Sequence, residues 1–423
     1  MKILVVRLSS LGDILHLFPA VSDLHGHFPD AEIHWLVEPA FAELAGWHSA
    51  VKKVIVVPLR AHKKNWWKAP ALLTKLRRQL QAENYDIVLD AQGLLKSALL
   101  ARLAGAAVFG FHADSARESL AAQFYQKTAK VPDGLHVIEK NRQLVAALTR
   151  CCEASGAGRG SSRQSPQRML AKAASHPLPL PQSAGCVITS DLARVVGSPS
   201  RMASSSTSNV SRDAARIFGI DAAQPADFGL DKFRQQQLQV VLGGELKETT
   251  RQPYVVLLHG TTWNSKYWPE SSWLELIRLL AQQGWRCLLP WGNESERLRA
   301  QRLQVAGGEY AQVLPRLSLT ELMSVLLHAR AFISVETGIG HLAAALDVPG
   351  IMLHGPTDPG YSGILGKSCQ HITSGIDCSP CFERDCPKLE VPDGIPPCQQ
   401  AITAQQVYVR CLALLATNTG EFS

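Results

Sequence analysis

The chain has 423 residues, 46% of them hydrophobic and 19% charged, with ten cysteines and a formal net charge of +7. Such a composition is globular, suits two domains better than one, and argues against a disulfide scaffold, for which the cysteines are too sparse. The basic excess is compatible with an anionic substrate, an acidic membrane surface or nucleic acid, and does not choose among them.

From the N-terminus, Lys2–Val6 is an apolar strand. Arg7 and Gly12-Asp13 interrupt the run where the core of a signal peptide would continue, so a strand is expected and not a targeting segment. No uninterrupted apolar run of about 18–20 residues occurs, so no transmembrane helix is expected. A helix is expected over Ile14–His27, strands over Ile33–Val37 and Val54–Pro58, and a helix over Leu72–Leu80. The strand Ile87–Asp90 then enters Gly93 and the helix Ser97–Leu103. Strands alternating with helix-length segments predict a parallel sheet covered on both faces.

The composition changes after Arg150. Residues 151–213 are rich in Ser, Gly, Ala, Arg and Pro without a sustained period, which predicts a poorly ordered insertion. The pattern resumes with strands at Tyr254–His259, Arg286–Pro290, Ala331–Val335 and Gly350–Leu353, and a helix over Pro269–Gln283. Thr403 and Gln406 resemble a capping box opening a last helix, Ala404–Leu415. Two similar α/β halves are expected, joined near 243–252. Such a layout leaves a cleft between two sheets, with ligands at the carboxyl ends of the strands.

Three strand-to-helix loops carry chemistry. In Arg7–Asp13, Gly12 permits a tight turn, and Asp13 is either a helix cap or a general base held at a strand end. In His259–Pro269, Thr261, Thr262 and Lys266 ahead of a helix N-terminus form either a diphosphate cradle or a solvated loop. The order of a Walker A loop is absent. In Ser334–Ala343, Glu336 is suited to accept hydrogen bonds from sugar hydroxyls, and the glycines admit a phosphate to the backbone. His341 there either faces the ligand or caps the helix. Gly338, Gly340 and Ala343, with Asp358 about 20 residues on, also fit a dinucleotide fingerprint and keep a nicotinamide-dependent oxidoreductase open. Cys378, Cys381, Cys386 and Cys398 allow either a metal or reduced thiols, in a spacing that matches no standard finger or ferredoxin. The stretch 60–68 mixes Arg60, His62, Lys63, Lys64 and Lys68 with Trp66 and Trp67, a solvated face or an anion dock.

Taken together, Ser9–Asp13, Asp90–Ser97, Thr261-Thr262 with Lys266, Trp268 and Pro269, Val335–Gly338 with His341, and Gly355–Pro359 resemble the lipopolysaccharide heptosyltransferases of glycosyltransferase family 9, those adding the first heptose most of all. The resemblance spans nearly the whole chain except the insertion. It implies a GT-B fold, α/β with two Rossmann-like domains whose parallel sheets face a central cleft. The expected first domain, for the acceptor, is 1–150 plus 214–245; the second, for the donor, is 252–402; and 403–423 is a helix packing back on the first.

The implied reaction inverts the anomeric carbon of heptose. The donor is ADP-L-glycero-D-manno-heptose and the acceptor is the Kdo of Kdo₂-lipid A. A later heptose acceptor remains the alternative within the family. No metal or other cofactor and no nucleic acid is implied; the location is cytoplasmic, on the inner-leaflet surface. Asp13 matches the catalytic base, with Lys266 assisting departure of the diphosphate. Ser10, Gly12, Thr261, Thr262, Lys266, Glu296, Leu317, Glu336, Thr337, Gly338 and His341 are the expected donor positions. Arg60, Lys63, Lys64 and Arg117 are the expected acceptor positions. Glu336 and Leu317 depart from the Asp and Met usual in the family.

Overall fold

The computed structural model describes residues 1–59, 69–154, 225–240, 243–389 and 394–417. These divide into two compact units, Met1–Gly229 and Leu230–Ser423. The first holds the parallel strands β1 (Lys2–Val6), β2 (Glu32–Val37), β3 (Val51–Val56), β4 (Ile87–Asp90), β5 (Ala107–Phe111) and β6 (Lys127–Ala129), in the order β3-β2-β1-β4-β5-β6. The second holds β7 (Tyr254–Leu258), β8 (Arg286–Leu289), β9 (Ala311–Val313), β10 (Ala331–Val335), β11 (Gly350–His354) and β12 (Cys369–Thr373), in the order β12-β11-β10-β7-β8-β9. Counted within its own unit, each sheet has the doubly wound order 3-2-1-4-5-6, which reverses between its first and fourth strands.

The central strands are buried on both faces, as strands covered by helices must be. Tyr254–Leu258 and Ala331–Val335 are buried at every position, which is why they read as unbroken apolar runs. The helix Glu270–Ala281 instead buries one stripe, Trp273, Leu276, Ile277 and Leu280, at helical spacing. Trp273 meets Trp268 edge-on with ring centroids 4.8 Å apart, and the Trp268 indole donates to the Ile402 carbonyl at 2.9 Å.

Several expectations change. The helix expected over Ile14–His27 is two, Leu11–Leu15 and Phe18–His27. The strands β5, β6, β9 and β12 were not expected. The helix Val137–Ala154 takes in Cys151 and its next three residues, so the expected insertion starts too early; its remainder, 155–213, lies outside the described residues. The helices Asp231–Leu238 and Gly244–Thr249 belong to the second unit and not the first. Arg234 donates to the Leu346 carbonyl, and Arg286 to that of Thr249.

The last helix, Ala404–Thr417, packs on its own unit's sheet. Val407, Cys411, Leu414 and Leu415 sit in one core with Val255, Ile333 and Ile351. Each such side chain contributes roughly 1.5–3 kcal/mol when fully buried, so the stripe seats where an apolar sheet face is already on offer. The expected capping box is present: Thr403 N–H donates to Gln406 Oε1 at 3.0 Å, and Gln406 N–H to Thr403 Oγ1 at 3.2 Å.

Candidate active site

In the first unit the candidate residues leave the carboxyl ends of β1 and β4, the two strands flanking the point where strand order reverses. Ser10 precedes the helix Leu11–Leu15, so Asp13 is its third residue and not the cap itself. The Asp13 carboxylate reaches back through Oδ2 to accept from the Ser10 N–H at 3.1 Å. Arg7 Nη2 donates to Oδ1 at 2.9 Å, and Arg117 donates to the same oxygen at 2.5 Å and to Oδ2 at 3.3 Å. Burial alone pushes the Asp13 carboxyl up, but the two guanidiniums outweigh it and hold the group well below the usual carboxylate range.

Arg7 is itself buried and is anchored through the Ala91 carbonyl. Gln92 accepts from the Leu8 N–H at 2.8 Å, joining the two loops. Asp90 beneath them accepts from the Gln92 N–H, the Ser97 hydroxyl and the Tyr125 hydroxyl; burial still raises its carboxyl. Asp13 and the loop that carries it therefore rest on a buried polar network and not on a free surface turn.

Arg117 stands on Asp13, where the sequence placed it among acceptor positions. Replacing Arg117 by Leu is expected to raise the Asp13 carboxyl toward the ordinary value near 3.9. In the wild type Asp13 stays ionised down to acid pH, so its protonation contributes no fall in kcat/KM above about pH 4. In the variant such a fall should appear, at higher pH than in the wild type. Profiles that superimpose at their acid ends would show that Arg117 does not set the charge state of Asp13. Of the remaining first-unit positions, Gly12 lies half-buried in the same turn, whereas Arg60, Lys63 and Lys64 lie outside the described residues.

The second-unit candidates occupy the carboxyl ends of four adjacent strands, β10, β7, β8 and β9. After β7, Thr261 is buried and its hydroxyl donates to the Glu336 carbonyl at 3.2 Å; Thr262 is exposed. Lys266 is buried, its ammonium 4.1 Å from the centroid of Trp263 and 2.9 Å from Glu336 Oε2. After β8, Glu296 Oε2 accepts from the Gly292 N–H at 2.7 Å. Its carboxyl carbon stands 2.5 Å from where a Cβ on Gly260 would be, so a larger residue there would push the Glu296 carboxylate aside. After β9, half-buried Leu317 precedes Ser318, the cap of the helix Leu319–Leu327.

After β10, Glu336 is buried and Thr337 caps the helix Gly338–Ala345 through its backbone alone. The first turn of that helix offers N–H groups to an anion. His341 is buried in this helix. The helix after Lys266 is capped by Pro269, and Glu270 occupies its first turn, paired with Arg302. A carboxylate there disfavours a second anion.

Burial pushes the Glu336 carboxyl up, yet Lys266 and its other partners hold it below the ordinary value. Both of its oxygens are taken, Oε2 by Lys266 and the Thr357 hydroxyl, Oε1 by the Ser362 hydroxyl at 3.2 Å. Sequence reasoning assigned no role to Arg7, His354, Thr357 or Ser362. For Arg7 the signal was present, a charge closing an apolar strand; for Thr357 it was the unexplained Gly355–Pro359 motif.

Asp358, the ribose ligand of the dinucleotide reading, instead accepts from the Gly360 N–H at 2.8 Å and caps a short turn of helix. Among the described residues no group of three His, Cys, Asp or Glu is arranged to hold a metal, and the cysteines there are free thiols.

The sequence profile described as glycosyltransferase family 9 (heptosyltransferase) matches residues 73–177 and 182–391. Lipopolysaccharide heptosyltransferase 1 of Pseudomonas aeruginosa is 39% identical over 389 residues, which cover 91% of this chain and 87% of the relative. The solved structure of E. coli heptosyltransferase WaaC with ADP superimposes with a TM-score of 0.67 at 32% identity, over 98% of this chain and 100% of that one. WaaC with ADP-2-deoxy-2-fluoro heptose gives 0.65 at 31% identity, over 98% and 99%. The fold is GT-B and the enzyme class glycosyltransferase, which removes the oxidoreductase reading. The chain belongs to glycosyltransferase family 9, the heptosyltransferases.

Proposed function

We propose that this enzyme transfers L-glycero-D-manno-heptose from ADP-heptose to the Kdo of Kdo₂-lipid A, with inversion, in assembly of the lipopolysaccharide inner core. The observation that carries the chemistry is the ion-paired carboxylate Asp13 at the carboxyl end of β1. The ADP and ADP-heptose analogue in the WaaC structures support the donor, and the name of the Pseudomonas relative supports the pathway.

Asp13 takes the proton of the acceptor hydroxyl. Its arginine partners make it a weak base, which suffices if the proton moves late. As the hydroxyl oxygen bonds to an electron-poor anomeric carbon, its proton becomes strongly acidic, and Asp13 accepts it after most of the attack. Lys266 and the N-terminus of Gly338–Ala345 stabilise the negative charge gathering on the departing diphosphate. ADP is already a stable anion, so no general acid is required.

Thr261, Thr262, Glu296, Leu317, Glu336, Thr337, Gly338 and His341 complete the donor side, with Ser10 and Gly12 in the loop of the base. Arg60, Lys63 and Lys64 are the proposed contacts for the anionic acceptor at the cytoplasmic face of the inner membrane, each basic group there contributing about 1 kcal/mol. No helix among the described residues is long and apolar enough to cross a membrane.

Incubation with ADP-heptose and Kdo₂-lipid A, read by mass, is expected to add one heptose, and to do so equally with EDTA present. Product formed only on an acceptor that already carries heptose would assign a later step. Loss of activity in EDTA that Mg²⁺ or Zn²⁺ restores would overturn the metal-free chemistry.

A further inference from the structure

The motif Gly355–Pro359 has no part in the chemistry described so far, yet it stands beside the buried Lys266–Glu336 pair. The Thr357 hydroxyl donates to Glu336 Oε2, the oxygen that also receives the Lys266 ammonium. Asp358 caps the turn Pro359–Ser362, which carries the Ser362 hydroxyl to Oε1. A hydroxyl has one proton to give. Since Thr357 gives its proton to Glu336, its 3.2 Å contact with His354 Nδ1 uses an oxygen lone pair, and His354 carries its proton on Nδ1.

Behind it, His354 Nε2 lies 3.2 Å from His371 Nδ1. The charged and titratable groups facing His354 are Glu336, His371, His341 and Lys266. Burial dominates them and pushes the His354 imidazole down to about 3, so the ring is neutral near pH 7 and does not compete with Lys266 for the carboxylate.

We propose that Thr357, with Ser362 and His354 supporting it, is a positioning residue for Lys266. By gripping both oxygens of Glu336, these side chains fix the carboxylate that aims the Lys266 ammonium at the donor diphosphate. Glu336 then serves the donor side through Lys266. The proposal rests on the reading of Lys266 as a diphosphate ligand.

The test is a cycle of variants read by calorimetric ADP affinity, with kcat, KM and thermal stability measured alongside. Thr357→Val keeps the shape and removes the hydroxyl; it is expected to weaken ADP about tenfold. Thr357→Ser restores the hydroxyl and should bind within about twofold of wild type. In a Lys266→Ala background, Thr357→Val should have no further effect, which a merely structural role would not produce. Wild-type ADP affinity in Thr357→Val, or an undiminished loss in the Lys266→Ala background, overturns the proposal. Unchanged ADP affinity in Lys266→Ala alone overturns the diphosphate reading itself, and this proposal with it. Should Thr357→Val fail to fold, Ser362→Ala poses the same question through the other oxygen, with a loss of about threefold expected.

Discussion

Replacing Asp13 by Asn is expected to lower kcat by at least ~10²-fold. The KM for ADP-heptose should stay within about twofold, because the substitution removes the proton acceptor and leaves the donor loops of the second unit untouched. Asn is chosen over Ala for a physical reason. Arg7 is buried, and its position depends on an oxygen at residue 13; Asn keeps that oxygen, whereas Ala strands the guanidinium. Thermal unfolding measured on the same preparation separates lost chemistry from lost fold. If the well-folded variant turned over at more than a tenth of the wild-type rate, Asp13 would not be the base.

The second large effect is expected at Lys266. Lys266→Ala should lower kcat/KM by about 10²–10³-fold, with part of the loss in ADP affinity and the larger part in kcat. The split follows from when the charge appears. The diphosphate is already anionic in the bound donor, but it gains further charge as the glycosidic bond breaks, so the ammonium contributes most in the transition state. This substitution also leaves Glu336 buried without its cation, a situation that typically destabilises a protein by about 3–5 kcal/mol. The double variant Lys266→Ala/Glu336→Gln removes the stranded charge and should recover much of the stability. It should not recover kcat. Recovery of both would show that Lys266 matters only as a partner for Glu336.

How much of this was legible in the sequence depends on how far apart the interacting residues lie along it. The strands Lys2–Val6, Ile87–Asp90 and Ala331–Val335 were readable to the residue, because burial on both sheet faces forces an apolar run bounded by polar residues. The capping box at Thr403 was readable because its partners are three residues apart. The loops at the ends of β1, β7 and β10 stood out because glycine, a charge and small residues occur there together.

Which sheet the last helix covers was not legible. An apolar stripe declares that it must be covered and says nothing about which sheet covers it. The boundary between the units was misplaced for the same reason: the helix Asp231–Leu238 carries little sequence signal of the unit it joins.

By itself, then, the sequence determined two α/β halves, their central strands, the loops that leave them and the charged residues those loops carry. These are consequences of local periodicity and of residue chemistry at short range. The tertiary structure alone decided what those charges do to one another. It brings Arg117 across 104 positions onto Asp13, turning a loop carboxylate into a strongly acidic one. It brings Thr357 across 21 positions onto Glu336, to the same oxygen that receives the Lys266 ammonium. The acidity of a carboxylate and the aim of an ammonium are set by partners within a few ångströms, and chain folding, not chain order, chooses those partners.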